Sequence, residues 1–480
     1  MFRPKRALPN ILLILSNFCP RRWLCLHTAG LYCMHCVLTV LLTLVQLNDM
    51  MHAKFKKHLK EDVSAVTARL ISHFFSQKNI CSESGGLPRF SLWLRKNLFP
   101  LTMLVVTVLA FLLRFSLFSY ESGDYQVYLQ KWYAQIEQGG GLPTLRQPLW
   151  DCNYTIAYLT LLTPFAALHV PALTAVKAIS TAADFALALS CALVPHLIQK
   201  NSRHPRLLFA AVYTGVLFFP ETFLNSALWG QCDAIYTTLG ILCVYFLMHH
   251  TYLPACALFG LSFAFKMQAV FLLPILVIMA VCEKKFRLRY LTAAPAALVL
   301  TCVPAMLAGT PLWMSYWPYL VQFSCCGSLS VNSPGAGMLL GSLPYPILKG
   351  TLLTTTLLFL FLTLALVLHH GGSLSNMQLL LLAACSTLCC AALLPCMHER
   401  YSFPADILLL LFAVSSRRKG DSLCCITEST VSFLSWMQYF DPKLLTLSGA
   451  VLSLLRLGCL FWLAARLWRE FAPLPNTTLQ

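Results

Sequence analysis

Long apolar stretches separated by short polar breaks dominate this chain, and their lengths predict its elements. A helix needs about 20 apolar residues to cross a bilayer. Spans are predicted at Leu98 to Tyr120, Ala175 to Leu197, Leu207 to Glu221, Ala234 to Met248, Tyr252 to Phe265, Ala269 to Val281 and Tyr290 to Leu307. Further spans follow at Thr351 to Leu368, Met377 to Pro395, Phe403 to Val414 and Leu444 to Leu467. Tyr154 to Val170 is short and ends at Pro171, so it is read as a helix lying at the membrane interface. The expected fold is all-α, a polytopic helical membrane protein of about ten spans.

Basic residues orient the spans, because Lys and Arg concentrate in short cytoplasmic loops. The stretch with Lys54, Lys56, Lys57, Lys60, Arg69, Lys78, Arg89, Arg95 and Lys96 precedes the first trusted span and is expected inside. The segment Glu121 to Asp151 then falls outside; its acids Glu121, Asp124, Glu137 and Asp151 outnumber Lys131 and Arg146. Three later clusters return inside from that one assumption: Lys200, Arg203 and Arg206; Lys284, Lys285, Arg287 and Arg289; Arg417, Arg418 and Lys419. Three parts result: an N-terminal extension over 1–97, a membrane domain over 98–415, and a basic loop with a last span and a short outer tail over 416–480. Trp23 to Leu47 is long enough to span, yet spanning conflicts with an inner position for both Arg3, Lys5, Arg6 and the stretch from Lys54. Either the N-terminus faces outward, or the segment does not span, or the working chain starts near Met50 or Met51.

Composition supports the membrane reading. The chain is 58% hydrophobic and 11% charged, with a mean hydropathy of +0.68, which excludes a set of water-soluble domains. The net charge of +17 resides mainly in the inter-span clusters, where it meets anionic lipid, so nucleic acid is not an expected partner. The 21 cysteines are scattered through apolar stretches and are read mostly as small core residues. Cys33-Met-His-Cys36 has the spacing of a redox or metal pair, but lies in a hydrophobic run without a second pair nearby.

Function is argued from where the polar residues fall. Asp124, the Trp229-Gly-Gln231-Cys-Asp233 loop, Lys266 with Gln268, and His398-Glu399-Arg400 all belong to outer ends of spans in this topology. Ionisable residues at membrane depth are costly and face a cavity, a partner or a substrate path. Four such groups on one face point to a site that opens outward at headgroup level. Asp124 could deprotonate an acceptor hydroxyl or merely cap the helix that follows. Lys266 suits a phosphate or could snorkel. Arg400 could bind the same phosphate through paired donors or pair with Glu399. His398 could orient a donor or satisfy a carbonyl. Gly139-Gly-Gly141 and Trp150-Asp-Cys-Asn-Tyr154 supply turns and aromatic surface, or interfacial anchors. Lys177 and Asp184, two helical turns apart, are expected to meet other helices.

At these residues the chain resembles the membrane mannosyltransferase family that adds the second mannose in GPI-anchor assembly, with its bacterial relatives. Ordered motifs carry the resemblance: Ser122-Gly-Asp124-Tyr125 with Trp132, Gly140-Gly141, Asn153-Tyr154 with Tyr158-Leu159, Asn225-Ser-Ala-Leu-Trp229-Gly-Gln231-Cys-Asp233, Phe265-Lys266-Met-Gln268 and Met397-His398-Glu399-Arg400-Tyr401. They cover about residues 98 to 415. The resemblance implies the C-type glycosyltransferase architecture, with Asp124 matching the catalytic carboxylate of the first outer loop. It also implies a polyprenyl- or dolichyl-phosphate sugar as donor and inversion in a single displacement. Relatives commonly carry one or two prolines after the Asn-Tyr pair, where this chain has Thr155 and Ile156.

The expected function is therefore transfer of a hexose, mannose by resemblance, from the lipid-phosphate carrier to an unidentified lipid, glycan or protein acceptor. Asp124 is the expected base, and Lys266 and Arg400 the expected phosphate ligands. Tyr125, Asn153, Tyr154, Trp229, Gln231, Asp233, Gln268, His398 and Glu399 are expected in support. No cofactor is expected, and a divalent metal is left open. The membrane is the plasma membrane in a bacterium or the endoplasmic reticulum in a eukaryote. Two other classes compete: a transporter or lipid flippase, with charges near the midplane and inverted halves, and a non-catalytic membrane subunit.

Overall fold

The computed structural model describes residues 89–472, apart from 148, 150, 325, 326, 342, 343 and 442–447. The N-terminal expectations for Trp23 to Leu47, Cys33, Cys36 and Lys54 to Lys78, with Trp150 and the last eight residues, lie outside the described residues.

Helices make up nearly the whole of the described chain, and the one sheet is a two-residue parallel pairing of Ser330–Val331 with Met397–His398. All-α is therefore the fold class, and the apolar helices are those of an integral membrane protein. Among the described residues six helices are long and apolar enough to cross a membrane: Lys96–Ser116, Ala172–Ile198, Leu288–Ala308, Tyr345–His370, Asn376–Leu393 and Gly449–Phe471. A bent pair, Pro205–Leu217 with Pro220–Trp229 at 50°, makes up to seven. This falls short of about ten because Ile156–Ala167, Asp233–Met248, Tyr252–Phe265 and Met267–Cys282 are shorter apolar helices. Polar motifs cut them short. The helix Tyr252–Phe265, for instance, stops where Lys266 turns to an extended backbone, φ −155° and ψ 133°.

A further correction concerns the region after Arg417. The stretch read as a basic loop forms the 22-residue helix Lys419–Phe440, whose acids and serines lower its hydropathy. Those residues face inward. Arg456 donates to Glu428 Oε1 at 2.7 Å and to Ser432 Oγ at 2.9 Å, while Arg466 and Trp462 donate to Asp421 Oδ1 at 3.2 and 3.0 Å. The last helix runs antiparallel to this one, so Phe471 ends beside His370, near Asp421 and Arg417. The short tail after it lies outside the described residues.

Buried ion pairs fix the helix directions. Arg114 Nε donates to Asp184 Oδ2 at 2.7 Å with both side chains fully buried, and Ser226 donates to the same oxygen. Lys177 donates to the carbonyls of Leu117, at 2.9 Å, Phe118, at 3.1 Å, and Tyr120, so it closes the end of the first helix. Both residues thus meet other elements, as expected.

Helix Tyr252–Phe265 approaches helix Ala293–Ala308 through Gly260. A Cβ there would collide with the backbone of Ala294, 2.6 Å from its Cα. Gly260→Ala is expected to destabilise by about 1–3 kcal/mol through overpacking, read as a lowered Tm of the purified protein. Gly350→Ala, in a helix where nothing lies within 4 Å of the added carbon, should leave Tm at or above that of the parent.

Candidate active site

The chain enters the site at the turn after the first helix. Ser122 Oγ donates to the Trp229 carbonyl at 2.7 Å and accepts from Tyr125 N at 3.2 Å. Ser122 therefore does the local capping, and Asp124, helical at φ −63° and ψ −37°, makes no side-chain cap bond. Its carboxylate is free to face the bundle. Trp229 Nε1 and Gln231 Nε2 donate to Oδ2 at 3.0 and 2.7 Å, and Tyr439 OH donates to Oδ1 at 2.9 Å. Two carboxylate oxygens offer about four acceptor directions. With Arg400 Nη1 3.5 Å from Oδ2, a direction on Oδ1 is left for a further hydrogen bond.

Two π-turns present these groups: Tyr125–Leu129 follows Asp124, and Leu224–Trp229 ends at the tryptophan. Such wide turns are rare and recur at functional sites because they displace one residue from the helical register. Gly230 then reverses the chain at φ +80°, a conformation that suits glycine. Gln231 N consequently returns to the Asn225 carbonyl at 2.9 Å, which aims the Gln231 side chain at Asp124.

Behind Asp124 lies a second, deeper carboxylate. Asp233 is fully buried; its Oδ1 takes the ammonium of Lys266 and its Oδ2 accepts from Asn225 Nδ2 at 2.8 Å. Snorkelling of Lys266 is thus excluded, since its ammonium points inward and lies over the rings of Tyr236 and Tyr401 at 5.7 and 5.8 Å. Arg400 bridges the two levels. It contacts Glu399 Oε1 at 3.2 Å and approaches Asp233 Oδ2 at 4.0 Å, and it stacks over Trp229 at 5.2 Å. The side chains of Asp124 and Arg400 keep 21% and 13% exposure, against 1% for Glu399 and none for Asp233. A ligand arriving from the surface would meet Asp124 and Arg400 first.

The other expected residues divide. Tyr154 OH donates to Gln231 Oε1 at 2.7 Å, and burial raises its pKa so that it remains a donor. His398 belongs to the short strand pairing with Val331. Burial, with Arg400 and Lys266 nearby, pushes its pKa down to about 4, so it is neutral at physiological pH. Glu399 is raised by burial. Tyr125 packs instead into an aromatic core with Trp132 and Tyr133. Asn153 is exposed, and the contact found for it is its carbonyl accepting from Gln322 Nε2 at 2.6 Å. Gln268 lines a chamber below the cluster. Thr155 donates to the Phe265 carbonyl at 3.1 Å and ties the first loop to the Lys266 turn.

Sequence reasoning missed the fourth wall. Tyr439 stacks on Trp229 with ring centroids 4.4 Å apart, and Trp436 and Phe440 meet the same indole edge-on at 5.6 and 5.0 Å. All three come from helix Lys419–Phe440. The signal available was Trp436-Met-Gln-Tyr439-Phe440, an aromatic cluster one helix length after a basic group. Cys396, just before the Met397-His-Glu-Arg400 motif, is disulfide-bonded, unlike the helical cysteines, which are free and mostly buried. Among the described residues no group of three or more His, Cys, Asp or Glu side chains is arranged to hold a metal ion. No family model matches this chain, and no curated protein matches it either.

Proposed function

We propose that the protein is a membrane glycosyltransferase that moves a hexose, mannose by its motif resemblance, from a polyprenyl- or dolichyl-phosphate carrier to an acceptor hydroxyl. The observation that carries this reading is the pairing, at the exposed mouth of a charged cluster, of a fixed carboxylate with a guanidinium 3.5 Å away. Such a pair can do both halves of a single displacement. Asp124 takes the proton of the acceptor hydroxyl. The acceptor oxygen bonds to the anomeric carbon as the bond from that carbon to the phosphate oxygen breaks, on the opposite side of the ring. The lipid monophosphate leaves with the electron pair, and Arg400 meets the growing charge. The configuration at the anomeric carbon is inverted.

The two cations divide the work. Arg400 keeps partly exposed donors for the phosphate, whereas Lys266 is engaged with Asp233 and adds its charge from behind. Neutral His398 can orient the donor through a hydrogen bond without adding charge. The C-type architecture belongs to the same proposal, with the shorter apolar helices crossing locally thinned bilayer beside the site. The non-cytoplasmic face is supported by the basic clusters at the other end of the bundle and by the disulfide of Cys396, a bond that persists in oxidising compartments. An epitope inserted at Gly140 and another after Arg418 should be reached from opposite sides of sealed vesicles; both on one side would overturn the topology.

A transporter or flippase is favoured by a different observation: Glu221, Asp406 and Glu428 are all buried around Arg456 inside the bundle. Proteoliposomes separate the readings. A transferase consumes the lipid-phosphate sugar and glycosylates an added acceptor, whereas a flippase moves the intact lipid between leaflets.

A further inference from the structure

The contacts on the Asp124 carboxylate are divided unequally between its two oxygens. Trp229 Nε1, Gln231 Nε2 and Arg400 Nη1 all address Oδ2, at 3.0, 2.7 and 3.5 Å. Among the described residues Tyr439 OH alone addresses Oδ1, at 2.9 Å. We infer that Tyr439 is a positioning residue, which turns Oδ1 of Asp124 toward the acceptor hydroxyl. Its role in transfer rests on the transferase reading above, whereas its hold on the carboxylate does not.

Contacts gathered on one oxygen act as a pivot. They fix where Oδ2 lies, yet the carboxylate plane can still turn about that point. A hydrogen bond to the other oxygen removes this freedom. Oδ1 is also the oxygen with a direction left for a further partner, so its remaining lone pair is the one a base would use. Aim matters at this step, because a misplacement of about 1 Å can cost about a hundredfold in rate.

Tyr439 can hold the carboxylate because its own ring is held. It stacks on Trp229 with centroids 4.4 Å apart and planes 23° from parallel. Trp436, three residues earlier and so on the same helix face, donates from Nε1 to the Glu399 carbonyl at 3.0 Å. Ser435 donates to the Asn332 carbonyl at 2.7 Å, and Asn332 pairs through its backbone with His398. Ser432 Oγ lies 3.0 Å from Ser402 Oγ. Each of these bonds ties helix Lys419–Phe440 to the segment around Arg400. One helix thus sets the direction of the base and braces the segment that carries the guanidinium, the two groups on which a single displacement depends.

Tyr439→Phe tests this, because it keeps the ring and its stack and removes the hydroxyl alone. Turnover of the full-length protein should fall roughly ten- to a hundredfold, the range for one hydrogen bond to a charged group, with donor Kd unchanged. In the Asp124→Asn background the same change should cost little more, since a residue that acts through Asp124 then has no base left to aim. An equal fractional loss in both backgrounds would overturn the inference. A structure of Tyr439→Phe in nanodiscs gives a readout that needs no turnover. The Asp124 carboxylate is expected to rotate about Oδ2, and a carboxylate that keeps its orientation would overturn the inference as well. Should the parent protein transfer no sugar, the transferase reading fails by itself, and that rotation still decides whether Tyr439 holds Asp124.

Discussion

Asp124→Asn is expected to leave the fold and donor binding intact while lowering turnover by about a hundredfold or more, the range for loss of a general base. The amide has nearly the shape of the carboxylate. Its oxygen can still accept from Trp229 and Gln231, the donors to Oδ2. Its nitrogen would face the Tyr439 hydroxyl, which can rotate to accept. Basicity is what the variant loses, so kcat should fall with little change in donor Kd. The measurement is turnover and donor binding on purified protein at matched concentration. Full turnover in Asp124→Asn would remove the base assignment. Asp233 is a poor substitute because it is buried and already bonded to Lys266 and Asn225. Asp151, exposed in the first loop, would be the residue to test next.

Lys266→Met should cause the largest loss of stability. It leaves the Asp233 carboxylate, which has no exposure, without its ammonium, and breaking one side of a buried pair costs about 3–5 kcal/mol. A second change separates structure from chemistry. In Lys266→Met with Asp233→Asn the uncompensated charge is gone, so Tm should recover most of that loss. Donor affinity should not recover, because the positive charge behind Arg400 is still missing. Arg400→Met, at the exposed mouth, should lose donor affinity and turnover together. If the double variant regained donor affinity along with stability, Lys266 would be structural alone and Arg400 would be the phosphate ligand by itself.

Much of this site was legible because its chemistry violates the pattern around it. Lys266 interrupts an apolar run and Asp233 opens an apolar helix, so each stands out without knowledge of the other. Parity of spans then placed Asp124, Asp233, Lys266 and Arg400 at one end, and all four lie within one charged cluster. The partners of each charge were not legible, since which side chains meet depends on helix rotation. Lys266 looked available for a phosphate and is engaged with Asp233. Asp124 looked equally able to cap its helix, until the structure gave that task to Ser122.

Helix Lys419–Phe440 was the main loss, for a reason built into hydropathy. An average over a span treats a buried polar face and a solvated one alike. Glu428 and Ser432 lower the mean although both are hydrogen-bonded by Arg456 inside the bundle. Missing that helix hid Tyr439. The apolar length is likewise shortened at Asp233–Met248 and Tyr252–Phe265, where residues that build the candidate site sit at the helix ends.

The proposed activity is tested most directly by sugar transfer itself. Purified full-length protein would be incubated with polyprenyl-phosphate and dolichyl-phosphate carriers bearing labelled mannose, glucose or another hexose, together with a membrane lipid extract as acceptor. The expected result is release of lipid monophosphate matched by label in a new product with inverted anomeric configuration, from mannose above the other sugars, and lost in Asp124→Asn. Intact donor throughout, with every carrier and sugar and a properly folded protein, would contradict it.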